Sequence, residues 1–415
     1  MTDNPFAAEI DTDDPEALVG ALMGPPFAYD PYPVVSRLRE RAPMFRSDMG
    51  FWFASDFASC LDVFRSQNVG QGLNMARLEQ DPRFATSESL QMFGRMLPFM
   101  DPPDHTRIRQ LLNPFFSPKA MAGSRPYTQA LVDRLLDGMG AKGGGDLVGD
   151  FAEHIPVAVV CQLLGGMGDT DQGKCRAWSE MLVEAVHPVC TEEMMEHADA
   201  AARDFSEYFR DLVAMHDGRG DDVMSTLVRA QEEGQIDEDG LLATATTLVG
   251  AAYHNTRNHI ATGILTLLRH PDELAKLRAD PSLARAATEE VLRYEPPVQL
   301  TLPRLALVDT KIGDSDLAEG ELVCAFLSGA GRDPSRYERP DEFDITRTDS
   351  GSLSLAHGIH VCIGAAMARM EGEIALRSFF TRFAEVDLVD HDLILEESGL
   401  PSTRGFKRIE VEIRA

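Results

Sequence analysis

Leu355-Ala356-His357-Gly358-Ile359-His360-Val361-Cys362-Ile363-Gly364 runs straight into a helical stretch from Ala365 to Phe380. Gly358 and Gly364 permit tight turning on either side of Cys362, and the helix start brings peptide N–H groups and a positive dipole end near the sulfur. Such a setting favours thiolate over thiol, and a thiolate so held is a nucleophile or a metal ligand. A buried structural cysteine fits these residues equally well, because free cysteine packs as a small hydrophobe. Zinc fits poorly: His357, His360 and Cys362 crowd together, but the chain has no second Cys/His pair at a recognised spacing.

The 415 residues that carry this segment allow two or three domains or one large enzyme domain with a deep core. Thirty-nine Lys plus Arg against 67 Asp plus Glu give a net charge of -28, which excludes a nucleic-acid footprint or a basic membrane patch over the whole chain. A hydrophobic share of 44% is enough to fold. No apolar run reaches the ~18 residues of a membrane span, and Met1-Thr2-Asp3-Asn4-Pro5 lacks the features of a signal peptide. The expectation is a cytoplasmic protein without membrane insertion. Its six cysteines are scattered without a C-x-x-C, as free thiols in a reducing compartment would be.

Residues 1–35, rich in Pro, Asp and small residues, read as a loosely structured lead-in with at most short helices, and ordered structure is expected from about Tyr32. Met44-Phe45 and Phe51-Trp52-Phe53 flank Asp48-Met49-Gly50 as a small hairpin, ahead of a helix from Asp56 to Arg65. From Arg125 to about Leu268 the apolar spacing is almost wholly helical. Gly138, Gly140 and Gly143 spell a nucleotide fingerprint, but they follow a helix where a fingerprint must follow a strand, so they read as a flexible loop. Leu307 to Leu327 alternates as strands do.

One helix is expected from Glu238 to Arg269, ~48 Å at about 1.5 Å per residue, long enough to cross the molecule. At its middle, Gly250-Ala251-Ala252 makes a notch beside Tyr253, His254, Asn255 and Thr256, where something can approach the backbone closely. Glu290 and Arg293 share a helix face at i, i+3, and so do His105 and Arg109 at i, i+4, the latter presenting two donors to an anion. Taken singly, such pairs are usually surface charges.

In their order along the chain these segments resemble the cytochrome P-450 family, from about Pro31 to the C-terminus. The resemblance implies one mainly α domain with a small β region, residues 36–415, built around heme b (iron protoporphyrin IX). Cys362 would be the axial iron ligand, within a signature matched at Gly358, His360, Cys362 and Gly364. Leu355 stands where Phe is usual and Ala356 where the first Gly is usual. His105, Arg109, Arg304 and His360 would hold the haem propionates, and Ala251 and Ala252 would face the haem. Glu290 and Arg293 would be the structural pair; its usual third partner is missing, because Pro340-Asp341-Glu342-Phe343 has Glu where Arg is expected.

Family members usually carry an acid and an alcohol at the centre of the long helix to deliver protons to dioxygen. Here His254 replaces the acid and Asn255 the alcohol, with Thr256 next. An imidazole can shuttle protons near neutral pH, whereas a carboxamide donates hydrogen bonds without titrating. Arg257, ~200° around the helix from Asn255 at ~100° per residue, should face away. Val298 to Thr301, including Leu300, and Leu400 to Thr403, including Ser402, would wall the substrate pocket. Val69 to Met100 would form an adaptable, Met-rich lid, with Met96 and Leu97 on the pocket.

The implied function is that of a monomeric monooxygenase that activates dioxygen and most simply hydroxylates a sizeable hydrophobic small molecule. Electrons would come from a separate ferredoxin and ferredoxin reductase. Against a charge of -28 the ferredoxin would need a local basic patch, for which Arg107, Arg109, Arg336 and Arg339 are candidates. The His254-Asn255 departure keeps an oxidative coupling or peroxide-dependent enzyme open, and a non-catalytic haem sensor is the reading from another class.

Overall fold

The long helix forms where its spacing predicts, at Glu238–Arg269. The Asp237 carboxylate caps it by accepting from the Gly240 N–H at 2.8 Å, and Arg269 sits in the last turn ahead of Pro271. Every residue from Gly240 to Val249 and from Thr256 to Leu267 is buried. A helix covered on all sides is the axis of a core rather than its wall.

The computed structural model describes residues 12–24, 30–187, 190–216, 218–389 and 402–414. Before the axis come α1 (Pro15–Leu22), α2 (Tyr32–Arg41), α3 (Phe57–Arg65), α4 (Met75–Leu78), α5 (Glu88–Gly94) and α6 (Asp104–Leu112). They are followed by α7 (Pro118–Lys142), α8 (His154–Leu163), α9 (Asp169–Leu182), α10 (Glu192–Met215) and α11 (Val223–Glu232). The axis is α12; after it stand α13 (Pro271–Ala279), α14 (Ala284–Tyr294), α15 (Leu327–Gly331) and α16 (Ala365–Arg382). The axis packs on α8, α9 and α10 and on α14 and α16. Among the described residues no helix is long and apolar enough to cross a membrane.

Three small sheets complete one mainly α domain. Strands β1 (Met44–Arg46) and β2 (Phe51–Ala54) form the expected hairpin, Phe45 opposite Phe53, and join β3 (Val69–Gln71), β5 (Arg304–Ala306) and β8 (Leu322–Ala325) in the order β1-β2-β8-β5-β3. Strands β6 (Thr310–Ile312) and β7 (Ser315–Leu317) pair with each other, and β4 (Gly144–Asp146), β10 (Glu410–Arg414) and β9 (Glu385–Leu388) form the third sheet.

Two expectations about local order fail. Ordered structure starts before Tyr32: α1, one of the short helices the lead-in was expected to allow, is capped by Asp14 and buries Leu18, Val19 and Leu22 against Val35, Leu38 and Phe53. Gly138 and Gly140 are not a loop. They lie inside α7, which ends at Gly143 in the left-handed region (φ 74°), and Gly144 and Gly145 continue as β4. The fingerprint stays excluded, since these glycines close a helix.

Arg293 and Glu290 are both buried, joined by two hydrogen bonds of 2.8 and 2.7 Å. The missing third partner is supplied elsewhere: Arg347, four residues beyond Phe343, donates from Nε to Glu290 Oε1 at 3.3 Å. The main-chain oxygen of Glu342 serves the same knot, accepting from Arg293 at 3.0 Å and Arg347 at 3.1 Å. Further carbonyls at Gly331 and Pro340 satisfy Arg293 Nη1 at 2.8 and 2.7 Å. Removing one member strands buried charge, so Arg293→Leu is expected to cost about 3–5 kcal/mol. The urea midpoint by circular dichroism measures it, and an unmoved midpoint would show that the knot contributes no stability.

Candidate haem-thiolate site

The Cys362 loop is folded by its own backbone. The Cys362 N–H donates to Leu355 O at 2.9 Å and the Ala356 N–H to Leu353 O at 2.8 Å, and Gly358–His360 make a short 3-10 turn. Gly358 has φ 71°, and a Cβ there would meet Phe64 O at 2.4 Å, so only glycine fits. Ala356, where glycine was expected, takes φ 58° with a side chain present, a conformation that costs an L-residue ~1–2 kcal/mol. The loop keeps its shape at that cost.

This loop floors a mostly apolar cavity whose roof is α12. Cys362 is deep within the protein yet open to the cavity. Burial pushes its thiol up, outweighing the Gly364 N–H, Arg109 and Arg369, which pull it down. A bound metal would favour the thiolate, because it is the deprotonated sulfur that ligates. Among the described residues no group of three His, Cys, Asp or Glu could hold a metal ion, so Cys362 would be a lone protein ligand.

At one edge of the cavity His105, Arg109, Arg304 and His360 converge. The His105 and His360 rings lie 4.1 Å apart, and His105 Nε2 is buried with no protein partner. Burial first, and then the neighbouring cations, lower His105 and press His360 down to about 3; burial also lowers Arg304 to about 10. Asp101 is the carboxylate acting on Arg304 and His105. The orphaned His105 Nε2 and the convergent guanidiniums of Arg109 and Arg304 fit an anionic group, which the propionates of haem would supply with Cys362 holding its iron. The residues present therefore fit haem b.

On the roof, Ala251, Ala252, Asn255 and Thr256 line the cavity as expected. His254 does not. It lies against the Tyr253 ring, 4.7 Å between centroids, and hydrogen-bonds the Ser179 main chain in α9, leaving Nε2 buried without a partner. Burial, with Arg257 beside it, lowers its pKa to about 4, so it stays neutral where a proton shuttle was expected. Arg257 faces away as expected, donating to Tyr253 OH at 3.2 Å. The helix period brings in His259 instead, one turn beyond Asn255, in space left by Gly372, whose Cβ would lie 2.8 Å from His259 Nε2.

Of the expected pocket residues, Leu97, Val298 and Thr301 line the cavity. Leu300 points instead into the cluster of Phe53 and Phe326, and Met96 into the main core. Thr403 pairs with Val298 in an isolated bridge, and Ser402 accepts the Gln299 N–H through its carbonyl, so both brace the wall from behind. Leu400 lies outside the described residues. Gln71, which no motif marks, lines the cavity beside Arg304. A more open cleft of about 590 Å³ lies on the other face of α6, but its Arg95 and Arg107 are paired with Asp237 and Asp104.

A lone cysteine under a small-residue notch, with a cationic rim between them, defines a haem-thiolate protein. The chain belongs to the cytochrome P-450 family, whose model matches residues 66–405. It is 35% identical over 370 residues to cytochrome P-450 107B1 of Saccharopolyspora erythraea, covering 87% of this chain and 89% of that one. It is 32% identical over 417 residues to the cytochrome P-450 monooxygenase PikC of Streptomyces venezuelae, covering 97% and 96%. The crystal structure of CalO2 superimposes with a TM-score of 0.88 at 27% identity, over 94% of this chain and 98% of that one. The chain is thus a cytochrome P-450 monooxygenase with haem b as cofactor and dioxygen and redox partners as co-reactants.

Proposed function

We propose that this monooxygenase hydroxylates a sizeable hydrophobic small molecule, as a cytoplasmic monomer that receives electrons from a separate ferredoxin and its reductase. The observation that carries the reading is the apolar wall facing Cys362: Leu97, Pro98, Leu248, Ala251, Ala252 and Val298. Relatives named 6-deoxyerythronolide B hydroxylase, 35% identical over 317 residues, and vitamin D(3) 25-hydroxylase, 32% identical over 398 residues, support the reaction type.

In this reading Cys362 is the iron ligand, and His105, Arg109, Arg304 and His360 hold the propionates. Bound haem supplies dioxygen activation, with thiolate donation favouring O–O cleavage. The apolar wall excludes water and orients substrate. Asn255 offers a hydrogen bond without titrating, and Thr256 a hydroxyl, so protons come through Thr256, water or the substrate, not from His254. Ferredoxin would approach where the Cys362 loop surfaces, at exposed Ile359 and at Arg65, whose Nη2 lies 3.4 Å from His357 Nε2. The expected basic patch is thinner than the sequence suggested: Arg107 pairs with Asp104, Arg339 with Glu342, and Arg336 lies over the Phe57 and Tyr337 rings.

The turned-away His254 and the amide at Asn255 favour one second reading, oxidative coupling or peroxide-driven turnover. A substrate library screened by the haem absorption band, followed by turnover with ferredoxin, reductase and isotopically labelled dioxygen, separates the two. One labelled oxygen per product is expected, and unlabelled product would overturn hydroxylation.

A further inference from the structure

β3 carries Gly70 and Gln71 and runs on into Gly72, and close approach demands both glycines. A Cβ on Gly70 would lie 3.0 Å from the Asp101 carboxylate, and one on Gly72 2.4 Å from Pro303 O. The strand is pinned there: the Gln71 N–H donates to Asp101 Oδ1 at 3.0 Å and the Gly72 N–H to Pro303 O at 2.9 Å. So seated, the Gln71 side chain is buried, 4% exposed, at the edge of the cavity.

Only one orientation of its amide gives both ends a partner. Oε1 then accepts from Arg304 Nη1 at 2.8 Å and lies against the His360 ring, 2.9 Å from Nε2 and 3.2 Å from Nδ1, while Nε2 donates to Pro98 O at 3.1 Å. Arg304 and His360 belong to the cationic rim; Pro98 lies in the short turn Leu97–Phe99 of the lid and lines the cavity. Arg304 has five N–H donors, so bonding one to Gln71 fixes the plane of the guanidinium and leaves others for an anion.

We infer that Gln71 is a positioning residue that aligns Arg304 and His360 toward the haem propionates and ties that cluster to the lid, so that lid position and grip on the haem are coupled. This rests on the propionate assignment of Arg304 and His360 made above. A ligand that displaces Pro98 pulls on the same amide that orients the propionate donors, and a loosened haem grip frees the lid in turn.

The test uses haem-loaded protein with three readouts: haem transfer to an apo-globin, the propionate bending band in resonance Raman, and the association rate of 4-phenylimidazole, which enters the cavity and shifts the haem band. Gln71→Leu is expected to hasten haem loss about tenfold, as loss of a charge-assisted bond would, to shift the propionate band and to quicken probe association. Val69→Ala on the same strand, which touches neither end of the link, is expected to leave the band in place; a shift of equal size there would mean general loosening and overturn the coupling. Should Gln71→Leu not fold, Gln71→Glu decides: equal in shape, it keeps an acceptor for the cations but has no donor for Pro98, and probe association must still quicken. Arg304→Ala separates the two claims. If it hastens haem loss while the Gln71 variants match wild type in all three readouts, the coupling is wrong and the propionate assignment stands. If Arg304→Ala also leaves haem loss unchanged, the assignment itself fails.

Discussion

Cys362→Ser removes the thiolate-type absorption of the reduced carbon monoxide complex altogether. A serine oxygen is a poor ligand for this iron compared with soft sulfur; the neighbouring Leu355, Ala356, Val361, Ile363 and Gly364 have no ligating side chain, and Met367 and His360, which line the same cavity, are not thiolates. The variant should still take up haem, because the propionate donors stand on other elements, β5 and α6, and on His360. The expected result is therefore a coloured protein with the wrong spectrum, inactive in turnover. A serine variant that kept the thiolate spectrum would remove Cys362 from the iron and with it the assignment of the whole loop.

What made the site legible was local chemistry at fixed spacing. The turn glycines around Cys362, the acid-capped long helix and the i, i+4 pair His105/Arg109 each declare themselves over a few residues, and all three fold as read. What stayed hidden depends on chain ends meeting in space. Arg347 reaches Glu290 across 57 positions, and Gln71 reaches Arg304 through a strand that two glycines let settle against Asp101 and Pro303; neither carries a motif of its own. Wall residues failed for a related reason. Val298 and Leu300, two positions apart, do not share a face as a regular strand would have them: each makes only an isolated bridge, to Thr403 and Phe326, so strand alternation does not assign cavity and core there.

His254 is different, because the signal was present. The ~100° per residue that turns Arg257 from the cavity also defines a stripe at 251, 252, 255, 256 and 259, which includes His259 and leaves out 254. Reading the acid position by alignment placed His254 at the chemistry; reading it by helix period would have placed it against α9.

That separation makes the two residues individually testable. The Asn255 carboxamide lines the cavity, its Oδ1 buried without a partner, and its NH2 group is a hydrogen-bond donor that does not titrate. A preorganised donor of this kind, aimed where negative charge develops, is typically worth ~10²–10³ in rate. Asn255→Leu, similar in size but without a donor, should lower product formation by about that factor and send the electrons to peroxide. Asn255→Thr, restoring the alcohol usual in the family, should preserve or raise the yield of product per electron. His254→Leu should leave that yield near the wild-type value, since its ring is neutral, covered by Tyr253 and bonded to the Ser179 backbone. Product and peroxide are counted per electron consumed, with one substrate across all four proteins. A larger loss in His254→Leu than in Asn255→Leu would show that protons pass through the imidazole after all. If Asn255→Leu is coupled as well as wild type, the amide is packing, and protons come through Thr256, water or the substrate without it.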